Sequence, residues 1–462
     1  MGTGAQRRGE PKLHRQTPFT FSQSIRYLDR GLFGPGTNFL RSGVVPTRRP
    51  ASAGRGPTAR GKPLAALRHR DFRILLFSTM ALQVGSWVQT IGQGWLVLHD
   101  LNGSATSLGL VALLRGGALV VMSPIGGHMA SKYERKRQLM AYTSGSAVVA
   151  ILLAVTIATG HVTLWLVFIT AIAAGTVEAL AAPIRSILVY DSVAGEDLTA
   201  AVALNALGGN AMRVIGPAIG GVLIGTVGTQ GAFEVQAFCI VLSLGFTAML
   251  ALSHPPAEPD EEPGILRNMV AGFRYVIREP RMRFIVGMGM LPSILVYPYV
   301  TFLPVFARDV LNSDESGYGY LAAAVGLGSL AGGTLVAFTA ARRTHMGRSM
   351  IWTCLLYAGA VGAFTLMRNL WLGVLFLALA GVFHSMYSAY QASLMQLKAE
   401  PRYRGRVLAL QTTMWGTTPF AAVIMGRMID YWSAAPVVGL WMASAAGLCV
   451  LVAVFARSAH EV

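Results

Sequence analysis

Apolar stretches long enough to cross a bilayer recur along the chain, each closed by a short polar segment. A hydrocarbon core of about 30 Å needs roughly 20 apolar residues in a helix. Twelve such stretches are predicted, at about 73–98, 105–128, 138–158, 162–187, 200–226, 231–252, 283–307, 317–340, 347–367, 370–395, 406–429 and 434–456. Many contain Gly or Pro, which membrane helices tolerate because Gly permits close approach and neighbouring helices satisfy the groups freed at Pro. The small-residue runs at Gly208-Gly209, Gly220-Gly221, Gly326 to Gly328 and Gly332-Gly333 predict helix contact faces. The expected class is all-α and integral to the membrane.

The polar segments carry an alternation of their own. The loops at 132–137, 253–282, 341–348 and 398–406 are basic, as is the segment before the first span. The intervening loops hold almost no Lys or Arg, so both termini are expected in the cytoplasm. One loop on the basic side is acidic, with Asp191, Glu196 and Asp197.

Composition agrees, with 53% hydrophobic and 13% charged residues against the roughly 25% charged of soluble proteins. The formal charge of +17 first suggests a nucleic-acid binder. Its distribution removes that reading, because residues 1–70 carry +12 and the remaining 392 only +5. Residues 1–62, rich in Gly, Pro and Arg, are expected to form a disordered cytoplasmic tail. No apolar core of a secretory signal precedes the first span.

A search for self-similarity adds architecture to the count of spans. At an offset of 206, Ala118/Ala324, Ser123/Ser329, Gly126/Gly332, Gly127/Gly333, Lys136/Arg342 and Arg137/Arg343 match without a gap, and Gly175/Gly381 and Leu204/Leu410 follow. The chain then reads as two pseudo-repeats of six helices, at 63–252 and 283–462. The 253–282 segment joins them. Its first part is acidic and Pro-rich; Ile265, Leu266, Met269, Val270, Phe273, Val276 and Ile277 fall on one face of a following helix, suited to the membrane surface or to cytosolic packing.

Twelve spans in a 6+6 repeat, with Gly-Gly and a basic cluster between spans 2 and 3, resemble the major facilitator superfamily. Ala182-Pro-Ile-Arg185, Leu204-Asn205 and Arg213-Val-Ile-Gly-Pro-Ala-Ile-Gly-Gly221 are similar to the branch containing the enterobactin exporter and the macrolide efflux pumps, as is Arg404-Gly-Arg-Val407 with Gly405 and Arg406. The resemblance covers about residues 64–458. It implies the major facilitator fold, alternating access, and a central cavity bordered by spans 1, 4, 7 and 10. The superfamily loop pattern G-x-x-x-D-R-x-G-R-R matches here at Gly127, Lys132 and Arg135, but Ser131 stands where the family has Asp. The family's charge and helix-dipole latch is therefore in doubt, with Glu134 as a possible substitute. Gly216-Pro217-Ala-Ile-Gly220-Gly221 matches the pattern associated with antiporters, which favours export.

No G-x-x-x-x-G-K-[ST] occurs, so ATP is not expected to drive transport. Coupling to protons needs a titratable group inside the membrane. Arg115, Glu178, Arg213 and His384 are the ionisable residues well inside spans. Glu178 and His384 are related by the repeat offset, two proton-active groups at matching depth in the two halves. Glu178 has an alternative role as a fixed ion pair with Arg115 or Arg213, and His384 as a packed, hydrogen-bonded ring. Gln83, Ser86, Thr90 and Gln93 in span 1, Arg185 in span 4, Tyr297 in span 7, and Tyr387 and Gln391 in span 10 are candidates to line the substrate cavity. Cys239, Cys354 and Cys449 have no metal-like spacing, and no cofactor or metal is expected. The expected activity is proton-coupled efflux of a small amphipathic molecule by a non-enzymatic monomer in the cell membrane. Import or lysolipid flipping on the same fold, and a non-transporting sensor, are the alternatives.

Overall fold

The computed structural model describes residues 1–2, 64–193, 195, 197–251, 273–339, 346–400, 414 and 416–455. The basic tail beyond its first two residues, the acidic part of the linker, and Gly405 and Arg406 lie outside the described residues, as do the side chains of Ser131, Arg213 and Pro217. The described body is helical and contains helix within every one of the twelve predicted spans.

The helices are α1 (Arg70–Trp95), α2 (Ala105–Lys132), α3 (Arg135–Ala158) and α4 (Leu164–Asp191), then Leu198–Ala248, which reverses at Gly228 into α5 (198–227) and α6 (229–248). The second half holds α7 (Pro280–Leu295), α8 (Glu315–Thr339), α9 (Met346–Thr365), α10 (Leu370–Lys398), α11 (Thr418–Trp432) and α12 (Ala434–Phe455). Among the described residues nine helical stretches are long and apolar enough to cross a membrane, with 219–248 counted once across its break. The described parts of α9 and α11 are not among them. Large apolar side chains such as Trp165, Phe338 and Trp371 point outward, as lipid-facing surface requires.

Span 7 is broken, as its proline density predicts. After α7, which contains Pro292, the chain runs through a 3-10 turn (Tyr297–Phe302), a short α turn (Leu303–Val305) and a π turn (Phe306–Val310). The helix described over 273–278 before α7 buries Val276 but exposes Phe273 and Ile277, so the described part of the predicted apolar face is divided.

Local chemistry sets the helix starts at the end of the molecule opposite the basic loops, called here the far end. Ser104 and Thr163 accept hydrogen bonds from Ser107 N and Leu166 N, and Asn369 accepts from Trp371 N and Leu372 N. These caps satisfy amides that the first helical turn leaves unpaired. The two halves repeat one another closely at this end. Asn102 (φ 46) and Asn312 (φ 47) turn the chain after matching π turns at 96–100 and 306–310. Gly228 (φ 70) and Ser433 (φ 69) each reverse it in a single residue. The first pair stands at an offset of 210, four residues more than the sequence match, a difference of about one helical turn.

Among the described residues, the hydrophobic core joins the halves toward one end. A single hydrophobic cluster at the far end draws residues from both, among them Trp95, Phe233, Phe302, Tyr318 and Met425. Toward the basic end the core divides into one cluster made by the first half around Phe72, Leu139 and Ile184, and another made by the second around Met288, Met350 and Tyr390. The far-end contacts are close. Gly109 lies beside Ala422 O and Gly426 beside Ala105 O, where added Cβ atoms would come within 2.8 and 2.6 Å. Gly221 of α5 meets Gly319 of α8 backbone to backbone. Arg308 donates to Leu98 O at 2.6 Å, and the Trp95 and Tyr318 rings stack 6.3 Å apart.

Asp430, at the end of α11, accepts from Ala105 N at 2.8 Å, from Thr106 N at 3.1 Å and from the Thr106 hydroxyl. One half thus caps a helix of the other, placing a carboxylate on the positive end of the α2 dipole. Asp430→Ala should weaken this closure by about 0.5–2 kcal/mol, whereas Asp430→Asn, also a good cap, should keep most of it. Spin-label distances between positions 102 and 312 will measure it, with the alanine variant shifted to the longer population and the asparagine variant near wild type.

Candidate functional site

The α2–α4 crossing positions the chemistry. Gly175 of α4 packs directly on the carbonyl of Arg115, and Gly126 on that of Ala179, so the two helices touch backbone to backbone. This closeness brings the middle of α2 and α4 against α1. Arg115 donates through Nη1 to Thr90 Oγ1 at 2.9 Å, and through Nη2 to Ser86 Oγ at 2.9 Å and Glu178 Oε2 at 3.1 Å. The Glu178 side chain is 52% exposed and that of Arg115 23%. A half-exposed ion pair at mid-span faces an aqueous interior, because hydrocarbon would penalise both charges.

Of the polar stripe predicted in α1, Ser86 and Thr90 join this cluster. Gln93 turns into the first half's core and donates to Thr170 Oγ1 at 3.2 Å, and Gln83 is half-buried. A small cavity between α1, α3, α4 and α6 is lined by Gln89, Ser146 and Gln236, and Gln236 Oε1 is buried without a partner among the described residues. Arg185, farther along α4, reaches Ser78 Oγ at 3.5 Å and Thr79 Oγ1 at 3.3 Å.

The second half answers with aromatic chemistry. The Gly381 contact on Val325 O in α8 mirrors the Gly175 contact on Arg115 O. Val325 thus stands where the first half has its arginine. A small recess is lined by Pro292, Ser293, Tyr297, Tyr357, His384, Tyr387 and Gln391. The His384 ring lies between Tyr297 and Tyr357, with centroids 5.3 and 5.2 Å away. Tyr387 donates its hydroxyl proton to Met288 O at 2.8 Å, and Gln391 is buried against Met414. Three of the residues expected from the sequence therefore share one recess with His384.

The predicted gating residues separate by role. Gly216 and Gly220 pack on Trp87 and Ile91 of α1, inside the first half, while Gly221 meets the second half. A Cβ at Gly127 would meet nothing within 4 Å among the described residues, and its neighbour Gly126 makes the close contact. In the loop after α2, Lys132 is exposed. Arg135 pairs with Asp191 at 2.6 Å, Lys136 donates to Leu250 O at 2.5 Å, and Glu134 pairs with Arg137 at 2.8 Å. These contacts tie α3 to the ends of α4 and α6 within one half. Glu134 is engaged with its own turn, so among the described residues it makes no cross-half latch. Cys354 and Cys449 face each other 3.3 Å apart between α9 and α12, buried within the second half. Among the described residues no cluster of His, Cys, Asp or Glu is arranged to hold a metal.

The enterobactin exporter EntS of Shigella boydii serotype 18 (strain CDC 3083-94 / BS512) is 28% identical over 318 residues, covering 68% of this chain and 74% of the relative. EntS of Escherichia coli O81 (strain ED1a) matches to the same extent. Among solved structures, a bacterial homolog of the human lysosomal transporter Spinster, in an inward-facing and unoccupied conformation, superposes with a TM-score of 0.63 at 13% identity, over 85% of this chain and 97% of that one. The nucleoside transporter NupG gives 0.66 at 16% identity, over 82% and 97%. The fold is thus that of these membrane transporters. A family model described as transmembrane secretion effector matches residues 61–461. Matched along its whole helical body, the chain belongs to that family, within the major facilitator superfamily.

Proposed function

We propose that this chain is a secondary active exporter that couples the outward passage of a bulky amphipathic molecule to inward movement of protons. The observation that carries the reading is the Arg115–Glu178 pair with its two hydroxyl partners. Glu178 is held through one Arg115 donor, while Ser86 and Thr90 hold the guanidinium independently. Glu178 can therefore release Arg115 and take a proton without stranding the cation. The carboxylate then moves across the cycle as a neutral acid, and it returns to Arg115 when the proton leaves. His384, ringed by tyrosines in the other half, is the second proton-active group.

Export is supported by the family description and by relatives named as enterobactin exporters. The basic loops support a cell-membrane protein with both termini in the cytoplasm. In that orientation the shut far end faces outward and the divided core faces the cytoplasm, an inward-open stage of alternating access. The protein acts as a monomer, its two halves supplying both walls of the pathway.

Everted membrane vesicles test the reading. Energised vesicles should accumulate members of a panel of amphipathic acids, esters and cations, and a protonophore should collapse the accumulation. Glu178→Gln is expected to remove the protonophore-sensitive component. A glutamine variant that still concentrates substrate in response to a pH gradient would sink the proposal.

A further inference from the structure

Two arginines whose side chains are described in the first half's interior, Arg115 and Arg185, differ in one respect. Arg115 has a carboxylate, and Arg185, on α4 seven residues beyond Glu178 and about 10 Å along the helix, has none among the described residues. Its contacts are two hydroxyls of α1, Ser78 at 3.5 Å and Thr79 at 3.3 Å, made through Nη1 alone. Ser78 is already committed to Ser243 and Thr247 of α6, at 3.0 and 2.9 Å. The remaining guanidinium nitrogens, Nε and Nη2, are buried without an acceptor. A cation left in this condition inside the membrane is costly, and buried unpaired donors in native proteins call for a partner.

The two vacant donors are informative. Nε and Nη2 lie on one edge of the guanidinium plane, the edge that a carboxylate bridges with two parallel hydrogen bonds. The present partners are long and neutral, so little is lost when the side chain swings from Ser78 and Thr79 toward the interior. The residue as a whole is half-buried while Nε and Nη2 are covered at rest, so that edge meets a ligand once the side chain has swung. We infer that Arg185 is an anion-recognition site that takes an acidic group, a carboxylate or its equivalent, of the transported molecule. This deepens the reading of the chain as an exporter of an amphipathic substrate and rests on it. The apolar and tyrosine-lined surface of the second half would hold the hydrophobic body while Arg185 holds the acid.

The test is equilibrium binding to the full chain in lipid nanodiscs at neutral pH, without any gradient, using 1-naphthoate and its methyl ester as a shape-matched pair. Wild type should prefer the acid by about tenfold or more, the range expected for hydrogen bonds to a charged group. Arg185→Gln should lose that preference while binding the ester as before, and Arg185→Lys should retain part of it. Retained ester binding also certifies that the variant is folded. Equal binding of acid and ester by wild type, binding of neither, or an equal loss of both in Arg185→Gln would overturn the inference. Because no gradient is used, a failure of proton coupling leaves this readout standing, and a failure here leaves the vesicle experiment standing.

Discussion

Gly221→Val will hold the far end of the molecule apart and bring transport to a near stop. Gly221 and Gly319 meet backbone to backbone, so a side chain at 221 has no flexible neighbour to displace. The only relief is for α5 and α8 to separate, which opens the joint between the halves. A penalty of about 3 kcal/mol, within the range for overpacked contacts, shifts a two-state equilibrium roughly a hundredfold. Spin labels at 102 and 312 should report a single long distance, and vesicle transport should fall by a similar factor. Gly216→Ala is the control. Its contact is with Trp87 in the same half, so it should lower thermal stability without moving the label distance. A Gly221→Val protein with wild-type distances and transport would contradict the assignment of this contact to the closed gate.

Arg115→Met will disable proton-driven transport about as severely as Glu178→Gln, and the two together will be no worse than either alone. The cation and the carboxylate act as one unit, and residues that share a partner are strongly non-additive, with coupling of about 0.5–3 kcal/mol. Methionine keeps much of the arginine's length but removes the charge and the donors to Ser86 and Thr90. Glu178 is then left without its cation, and the exchange between arginine and proton cannot occur. Protonophore-sensitive accumulation in vesicles is the measurement. Additive losses in the double variant would mean that the two residues serve separate steps.

The broad plan was legible because hydrophobic length and loop charge are local properties. The spans and the intramembrane ionisable residues follow from windows of about twenty residues, and the 6+6 arrangement from the repeat at an offset of 206. Partnership is not local. Glu178 had two candidate cations, Arg115 and Arg213, and only the Gly175 contact on the Arg115 backbone brings the first within reach. Asp430 gave no sign in the sequence of capping α2, because its partners lie 324 and 325 positions away. The helical spacing of Gln93 matched Ser86 and Thr90 closely enough to suggest one stripe, yet a shift of a fraction of a turn sends it into the core beside Thr170. The repeat was found at 206 through its glycines and basic pairs, whereas the first hairpins correspond at 210. The signal that carries the larger offset was present in the paired turn residues Asn102 and Asn312, whose backbone both adopt the left-handed region that asparagine tolerates.

The single-residue reversals at Gly228 and Ser433 have a practical consequence for anyone who wishes to recognise the folded protein from that side. Two of its hairpins offer almost no loop to grip, so an antibody or a protease meets helix ends rather than flexible peptide. Reagents raised against that face will find purchase at the longer turns, around 159–163, 366–369, Asn102 and Asn312. The Asn102 and Asn312 turns flank the joint that opens in the proposed cycle, so a binder directed there is positioned to trap one conformation rather than merely to mark the protein.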